Sequence, residues 1–138
     1  MIAFFNENVE FQLLNSKQIK NWISIVIKRH KKKVGDINFI FCSDKYLLQI
    51  NIDYLKHNYF TDIITFNYNE SHYISSDIFI SIDTVMYNAK EYNVPFEHEL
   101  KRVMVHGILH LLGFDDKTSS QQIEMSQKED EALNNFDS

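Results

Sequence analysis

The amino-acid sequence predicts an α+β fold, with a single mixed β-sheet of about four strands packed with about five helices. Two observations lead to this prediction. Short runs rich in β-branched and aromatic residues alternate with longer segments in which apolar residues recur every three or four positions. The 138 residues include only 3 Gly and 1 Pro, so the connections are expected to be short. Residues 1–138 are therefore expected to form one domain.

The first half of the chain is predicted to contain two strands and two helices. Ile19, Trp22 and Val26 recur at helical spacing, and Ser16 before them suits an N-cap. Ser43 can cap the second helix in the same way. The predicted strands are residues 2–5 and 36–42, and the predicted helices are residues 17 to about 31 and 44 to about 54.

The second half is predicted to continue with two strands and three helices. A polar connection, residues 55–60, leads to strands at residues 61–66 and 76–81. Ser81 or Asp83 can cap the third helix, and Pro95 marks the break before the fourth. Thr118 or Ser119 can cap the last helix. Its expected packing positions are Ile123, Met125, Ala132 and Leu133, whereas its Glu-Asp-Glu run and residues 134–138 are expected to be solvated.

Charge and cysteine content exclude several classes of protein. The net charge of −5 argues against a general nucleic-acid coat, although a local basic patch can still bind RNA. The dense basic run at residues 28–33 follows the first helix; it either stabilises the helix dipole or contacts RNA phosphates. The single Cys42 is expected to be a buried thiol in a reducing compartment. Without a signal pattern or a long apolar run, we expect a cytoplasmic protein with no membrane partner.

Two histidines four residues apart mark the candidate functional site. His106 and His110 lie on one face of the fourth helix, so both imidazoles can reach one metal ion. Gly113 suits the left-handed residue that ends a helix, after which the chain can fold back and bring Asp115 or Asp116 to the same ion. Two histidines and one carboxylate, with a position left for water, suit a catalytic zinc site. The alternative is a helix with two surface histidines.

The residue after the first histidine argues against a metallopeptidase. A His-Glu-x-x-His peptidase carries a glutamate there as general base, and this chain has Gly107. Glycine costs about 1 kcal/mol against alanine inside a helix, so a side chain at this position is expected to meet the metal or a neighbouring strand. No side chain is assigned as the general acid or base. The catalytic group that remains is a metal-bound water, which suits phosphodiester hydrolysis.

Three segments resemble motifs of the YbeY family of bacterial endoribonucleases. HGILHLLGFDD, from His106 to Asp116, is similar to the family signature HGxLHLxGYDH. TDIITF at residues 61–66 is similar to PTDVLSF, and SDIFIS at residues 76–81 is similar to GDIxIS. The resemblance implies one Zn²⁺ per chain, held by His106, His110 and Asp116. It also implies cleavage of single-stranded RNA in small-subunit rRNA 3′ maturation and ribosome quality control, with the ribosome or its small subunit as partner and no DNA substrate.

Two departures from the family pattern are visible. Asp116 stands where the signature has a third histidine; a carboxylate also binds zinc at about 2.0–2.2 Å, but it adds negative charge and makes the bound water less acidic. The family's Tyr-Arg pair is Tyr54-Leu55 here. Lys56 can supply the missing charge, without the bidentate geometry of arginine.

Further candidates for substrate contact are Thr61, Asp62 and Arg102. Thr61 and Asp62 start a predicted strand, and the alternative is that they form a turn there. Arg102 lies one turn before His106, and the alternative is an ion pair with Glu97 or Glu99.

Two other functions remain open at this stage. The first is a ribosome-assembly factor that binds RNA or ribosomal protein without cutting, which Asp116 and the missing arginine would explain. The second is a zinc hydrolase of another substrate, such as a peptide or a small molecule.

Overall fold

A computed structural model of the chain describes residues 1–136. Within them, four strands form one mixed sheet that packs with five helices, which confirms the predicted α+β class. The strands are β1 (Ile2–Glu7), β2 (Lys33–Cys42), β3 (Ile63–Asn67) and β4 (Tyr73–Ser81). The helices are α1 (Ser16–Arg29), α2 (Asp44–Leu55), α3 (Ile82–Glu91), α4 (Phe96–Leu111) and α5 (Ser119–Phe136).

The sheet has the strand order β1-β2-β4-β3. β1 and β4 each pair with β2 in parallel, whereas β3 pairs with β4 antiparallel and forms an edge of the sheet. Parallel neighbours need crossover connections, which α1 and α2 supply. α4, with its two histidines, packs against β3 and β4, and Gly107 lies closest to Ile63 and Thr65 of β3.

The core lies mainly on one face of the sheet. Alternate residues of the central strands, such as Ile37, Phe39 and Ile78, point to this face and are fully buried. They pack with the apolar sides of α1, α3, α4 and α5 in one cluster. On the other face, α2 covers a smaller cluster that includes Cys42 and Leu47. α4 therefore rests on the side of the sheet that carries the main core.

The helix starts follow the predicted caps with one exception. Ser43 accepts a hydrogen bond from the Tyr46 amide, and Ser81 accepts one from the Thr84 amide. The prediction of Ser16 as a cap is wrong, because Asn15 takes that position in the left-handed conformation and Ser16 is the first helical residue. The strands β1, β2 and β4 are longer than predicted because strand pairing continues beyond the predicted ends, through residues 6–7, 33–34 and 73–74.

α5 corrects two predictions. Ile123 was expected to pack, yet it is exposed; Met125, Ala132 and Leu133 do pack. Ile123 lies two residues before Met125, which places it on the opposite side of the helix. Glu129, in the run expected to be solvated, is buried. In the tail, Asn134 is exposed, Phe136 packs edge-on against Trp22, and residues 137 and 138 lie outside the described part of the chain.

Cys42 is fully buried, as predicted. Burial, with smaller contributions from Asp83 and Glu7, raises the pKa of its thiol to about 12. The thiol is therefore protonated at neutral pH, and its role is packing rather than chemistry. Among residues 1–136, no helix combines the length and the apolar character that crossing a bilayer requires.

Candidate metal centre

Gly107 allows α4 to lie close against the sheet beside the two histidines. A Cβ atom at this position would be 2.8 Å from Ile63 Cδ1 and 3.1 Å from Thr65 Cγ2. Both distances are shorter than ordinary carbon contacts of about 3.5–4.0 Å. A side chain at position 107 would therefore clash with a neighbouring strand, which is one of the two reasons that the sequence suggested for the glycine. The glycine allows the backbone of α4 at His106 to lie close to β3.

The turn after α4 brings an acid back to the histidines. Gly113 has φ of 106°, the left-handed conformation expected at a helix end. The Phe114 amide donates to the Leu109 carbonyl at 3.0 Å and the Gly113 amide donates to the His110 carbonyl at 3.0 Å, so the last carbonyls of α4 are satisfied. The chain then reverses, and Asp116 reaches the histidine pair.

Three side-chain donor atoms converge at this point. His106 Nε2 and His110 Nε2 are 3.0 Å apart, and Asp116 Oδ2 lies 3.4 Å from the first and 3.3 Å from the second. A tetrahedral zinc with bonds of about 2.0–2.2 Å places its donors about 3.3–3.6 Å apart. Two of the three separations fall in that range and the third is slightly shorter. His106, His110 and Asp116 can therefore share one ion.

The group is open to solvent on one side. The side chains of His106, His110 and Asp116 are 20%, 29% and 39% exposed. Asp115, the other acid that the sequence offered, uses its carboxylate to accept the Asp116 amide at 3.0 Å and is not part of the group. Three protein donors and an accessible fourth position are the layout of a catalytic rather than a structural zinc site.

A buried glutamate holds the first histidine from behind. His106 Nδ1 lies 2.5 Å from Glu129 Oε2. An ionised carboxylate only accepts hydrogen bonds, so the ring nitrogen must be the donor. The proton on Nδ1 leaves the Nε2 lone pair free to point at His110 and Asp116. Such a carboxylate–histidine pair is the usual support of a metal-binding imidazole.

Glu129 itself is fixed by an arginine. Arg102 Nη1 donates to Glu129 Oε1 at 3.3 Å, while Nε and Nη2 of Arg102 donate to Glu99 at 2.8 and 2.6 Å. Hydrogen bonds to Glu99 are the main cause that raises the pKa of Arg102 above its ordinary value. Arg102 thus bridges two buried carboxylates, and its pairing with Glu99 is one of the alternatives that the sequence left open.

The sequence reasoning missed Glu129, although a signal was present. Met125, Glu129, Ala132 and Leu133 are separated by steps of four, three and one, which is the spacing of one helical face. An acid among packing positions indicates a buried partner of opposite charge or a hydrogen-bond donor. Its position in an acidic run concealed that signal.

A sequence profile of the endoribonuclease YbeY family matches residues 2–137. The chain belongs to the YbeY family. It is 48% identical over 132 residues to the endoribonuclease YbeY of Flavobacterium johnsoniae, covering 96% of this chain and 95% of that protein. The corresponding protein of Parabacteroides distasonis is 44% identical over 132 residues, covering 96% of this chain and 93% of its own. The solution structure of TM1509 from Thermotoga maritima superposes with a TM-score of 0.68 at 29% identity, covering 99% of this chain and 89% of that chain.

Membership of the YbeY family confirms the resemblance drawn from the segment between His106 and Asp116. Leu55, which stands where the family pattern described above has an arginine, is the last residue of α2 and is exposed. Lys56 follows as the left-handed C-cap of α2, with its Nζ 3.5 Å from the Asp53 carbonyl. A basic side chain is therefore present one residue after the arginine position, on the surface.

Thr61 and Asp62 lie just before β3, not within it as predicted. The Asp62 carbonyl accepts the Ser81 amide at 2.9 Å, and the Thr61 hydroxyl donates to the Ile63 carbonyl at 3.4 Å. Burial raises the pKa of Asp62 above its ordinary value, while electrostatic interactions with His106 and Arg102 act in the opposite direction. The Asp62 carboxylate thus lies within electrostatic range of His106 and Arg102.

Proposed function

We propose that this chain is a metal-dependent endoribonuclease that cleaves single-stranded RNA in rRNA processing. The observation that carries the proposal is the convergence of His106, His110 and Asp116 at separations close to those of tetrahedral zinc. The proposal is further supported by relatives of 44–48% identity that are named endoribonuclease. Phosphodiester hydrolysis also agrees with Gly107 at the position where a peptidase needs its glutamate.

One Zn²⁺ per chain is the proposed cofactor, with His106, His110 and Asp116 as its ligands. Bound there, zinc would lower the pKa of a water and stabilise charge on a phosphate oxygen. Glu129 keeps His106 in the tautomer that presents Nε2 to the ion, and Gly107 sets the distance between α4 and β3. The proposed catalytic group is therefore the water rather than a side chain.

The proposed contacts to the substrate are Lys56, Thr61, Asp62 and Arg102. Lys56 is exposed and suits a phosphate as a point charge. Thr61 has a hydroxyl that can turn to a substrate oxygen. Arg102 already binds Glu99 and Glu129, so we propose that it acts through Glu129 more than by direct contact.

The proposed setting is small-subunit rRNA 3′ maturation and ribosome quality control in the cytoplasm, with the ribosome or its small subunit as partner. This part rests on the family to which the chain belongs. We propose that residues 1–138 work as one domain, which is supported by the single sheet and the main core cluster of the described residues.

The test combines metal analysis with RNA cleavage. The purified protein is expected to hold about one zinc and to cut a single-stranded RNA faster than the same RNA in a duplex. His110→Ala should lose both zinc and cleavage while its circular dichroism is unchanged, whereas His98→Ala, an exposed histidine at the start of α4, should lose neither. Unchanged zinc content in His110→Ala would refute the site.

A second candidate function is a ribosome-assembly factor that binds RNA without cutting. Two observations favour it, namely the acid at position 116 and Leu55 in place of the family's arginine. Ribosome association retained in His106→Ala, together with no cleavage by the unaltered protein, would support this candidate over the nuclease.

A further inference from the structure

The segment 54–60, formed by the end of α2 and the loop that follows it, exposes an unusual set of side chains. Its sequence, YLKHNYF, contains three aromatic rings, a lysine and a histidine, and no carboxylate, in a chain with net charge −5. Tyr59 and Phe60 are 56% and 58% exposed. Single exposed apolar residues need no explanation, but a run of rings with basic neighbours is the composition of a nucleic-acid contact.

The backbone of this segment is held in place. Asn51, which is buried in α2, accepts the His57 amide at 3.0 Å through its carbonyl. Its side-chain amide donates to the Tyr59 carbonyl at 2.9 Å. One buried residue thus fixes two points of the loop, so the exposed rings are presented on an ordered support.

The ring of Tyr59 is oriented by a second contact. Its centroid lies 5.2 Å from that of His57 with an angle of 19° between the planes, and Tyr59 Oη is 3.0 Å from His57 Nδ1. The two rings therefore form a short stack at the surface. Orienting an aromatic ring in advance lowers the entropy that a binding partner must overcome.

The segment lies next to the proposed metal centre. Ile63, three residues after Phe60, packs against Gly107, the residue that follows His106. An extended chain advances about 3.3–3.6 Å per residue, so the Cα atoms of Phe60 and Ile63 are at most about 10–11 Å apart. Phe60 therefore lies near the start of the strand that α4 contacts beside His106, and an RNA strand bound at the metal can extend toward it.

We propose that Tyr59 and Phe60 form a stacking surface for unpaired bases of the RNA that enters the metal centre. This inference rests on the proposed function. It assigns a binding surface to RNA bases that the proposed metal ligands do not contact. Aromatic rings stack on any unpaired base, and paired bases do not present their faces. Lys56, three residues before Tyr59 in the sequence, is exposed and can supply a positive charge to a phosphate of the same strand. The surface would thus favour single strands without reading sequence.

The experiment measures RNA affinity and cleavage in matched variants of the full chain. Phe60→Ala and Tyr59→Ala are compared with Tyr73→Ala, an exposed ring on the sheet face that points away from α4. A short fluorescent single-stranded RNA is titrated into protein kept metal-free by a chelator. The same RNA with an abasic nucleotide at successive positions is the second ligand. Cleavage is followed with zinc-loaded protein, and zinc content is measured in every variant.

We expect Phe60→Ala to bind the intact RNA about 5- to 150-fold more weakly, the range that loss of one stacked base gives. At one abasic position the variant and the unaltered protein should bind equally, because the base that stacks is absent. Tyr73→Ala should bind like the unaltered protein, and Phe60→Trp should restore affinity. Zinc content should be the same throughout.

Two results would overturn the stacking surface. If the unaltered protein binds and cuts RNA and Phe60→Ala and Tyr59→Ala do so equally well, the surface is refuted while the proposed function stands. Phe60→Leu is a further variant that keeps an apolar side chain without a ring. If it binds the intact RNA and every abasic RNA as tightly as the unaltered protein does, the contact is apolar and not stacking. Absence of RNA binding and cleavage by the unaltered protein would refute the proposed function and the surface together.

Discussion

Glu129→Gln is the substitution that most directly tests how the centre is built. The Glu129 carboxylate accepts two hydrogen bonds, from His106 Nδ1 at 2.5 Å and from Arg102 Nη1 at 3.3 Å. Glutamine has the same shape but only one acceptor oxygen, and its amide group is a donor. It can satisfy only one of the two partners. If the amide nitrogen faces His106, Nδ1 must accept the hydrogen bond and the imidazole carries its proton on Nε2. The Nε2 atom then has no lone pair with which to bind a metal.

The expected effect is a 10- to 100-fold loss of zinc affinity. Substitutions of carboxylates that support metal-binding histidines give losses of about that size, which corresponds to about 1.4–2.8 kcal/mol. Because Glu129 is not itself a ligand, the variant should still bind one ion at saturating zinc. Glu129→Ala should also lower the free energy of unfolding by about 1–3 kcal/mol, since it leaves a buried donor of His106 unsatisfied.

Competition with a chromophoric chelator measures the zinc affinity of each variant. Glu124→Gln, at an exposed position of the same helix, is the matched control and should bind zinc like the unaltered protein. Zinc affinity of Glu129→Gln within twofold of the unaltered protein would show that the tautomer of His106 is set by something other than Glu129.

Three further predictions follow from individual residues. Asp62→Asn should stabilise the metal-free protein at neutral pH, because burial raises the pKa of Asp62 and its ionised form costs stability. That gain should disappear as the pH falls toward about 4, where the unfolded carboxyl also becomes protonated; urea titrations at several pH values would reveal a pH-independent difference if the reasoning is wrong. Gly107→Val should lower the free energy of unfolding by about 1–3 kcal/mol, because its side chain meets Ile63 and Thr65; an unchanged urea midpoint would contradict this packing. The Cys42 thiol, with its pKa raised to about 12, should react with a disulfide reagent only after denaturation, and rapid reaction in the native protein at pH 8 would contradict its burial.

Features that depend on near neighbours in the sequence were predictable. The four-residue spacing of His106 and His110 and the glycine at position 113 are local patterns, and both appear as expected in α4 and the turn after it. The class of the fold followed from periodicity because each strand and helix has a clear apolar side. The prediction of Ser16 as a cap failed, because Asn15 can adopt the left-handed conformation and start the helix one residue earlier.

Features that depend on contacts between distant segments were not predictable in the same way. Glu129 and Arg102 are 27 residues apart in sequence, and only the packing of α5 against α4 makes them neighbours. The acidic run around Glu129 was predicted to be solvated from its composition, and this prediction is correct for Asp130 and Glu131, which are exposed. The orientation of α5 about its own axis determines that Glu129 faces the core while the two acids beside it face solvent.

The rotation of α5 is set far from the candidate metal ligands. Trp22 of α1 donates through Nε1 to the Ala132 carbonyl at 2.8 Å, across 110 residues of sequence. Met125 and Leu133 bury the same side of α5 in the core, and with Trp22 they turn Glu129 toward His106. The precision of a centre whose candidate ligands all come from α4 and the following turn therefore depends on how α1 and α5 pack. Core substitutions at this interface should weaken zinc binding at the proposed site, even though none of these residues is a proposed ligand.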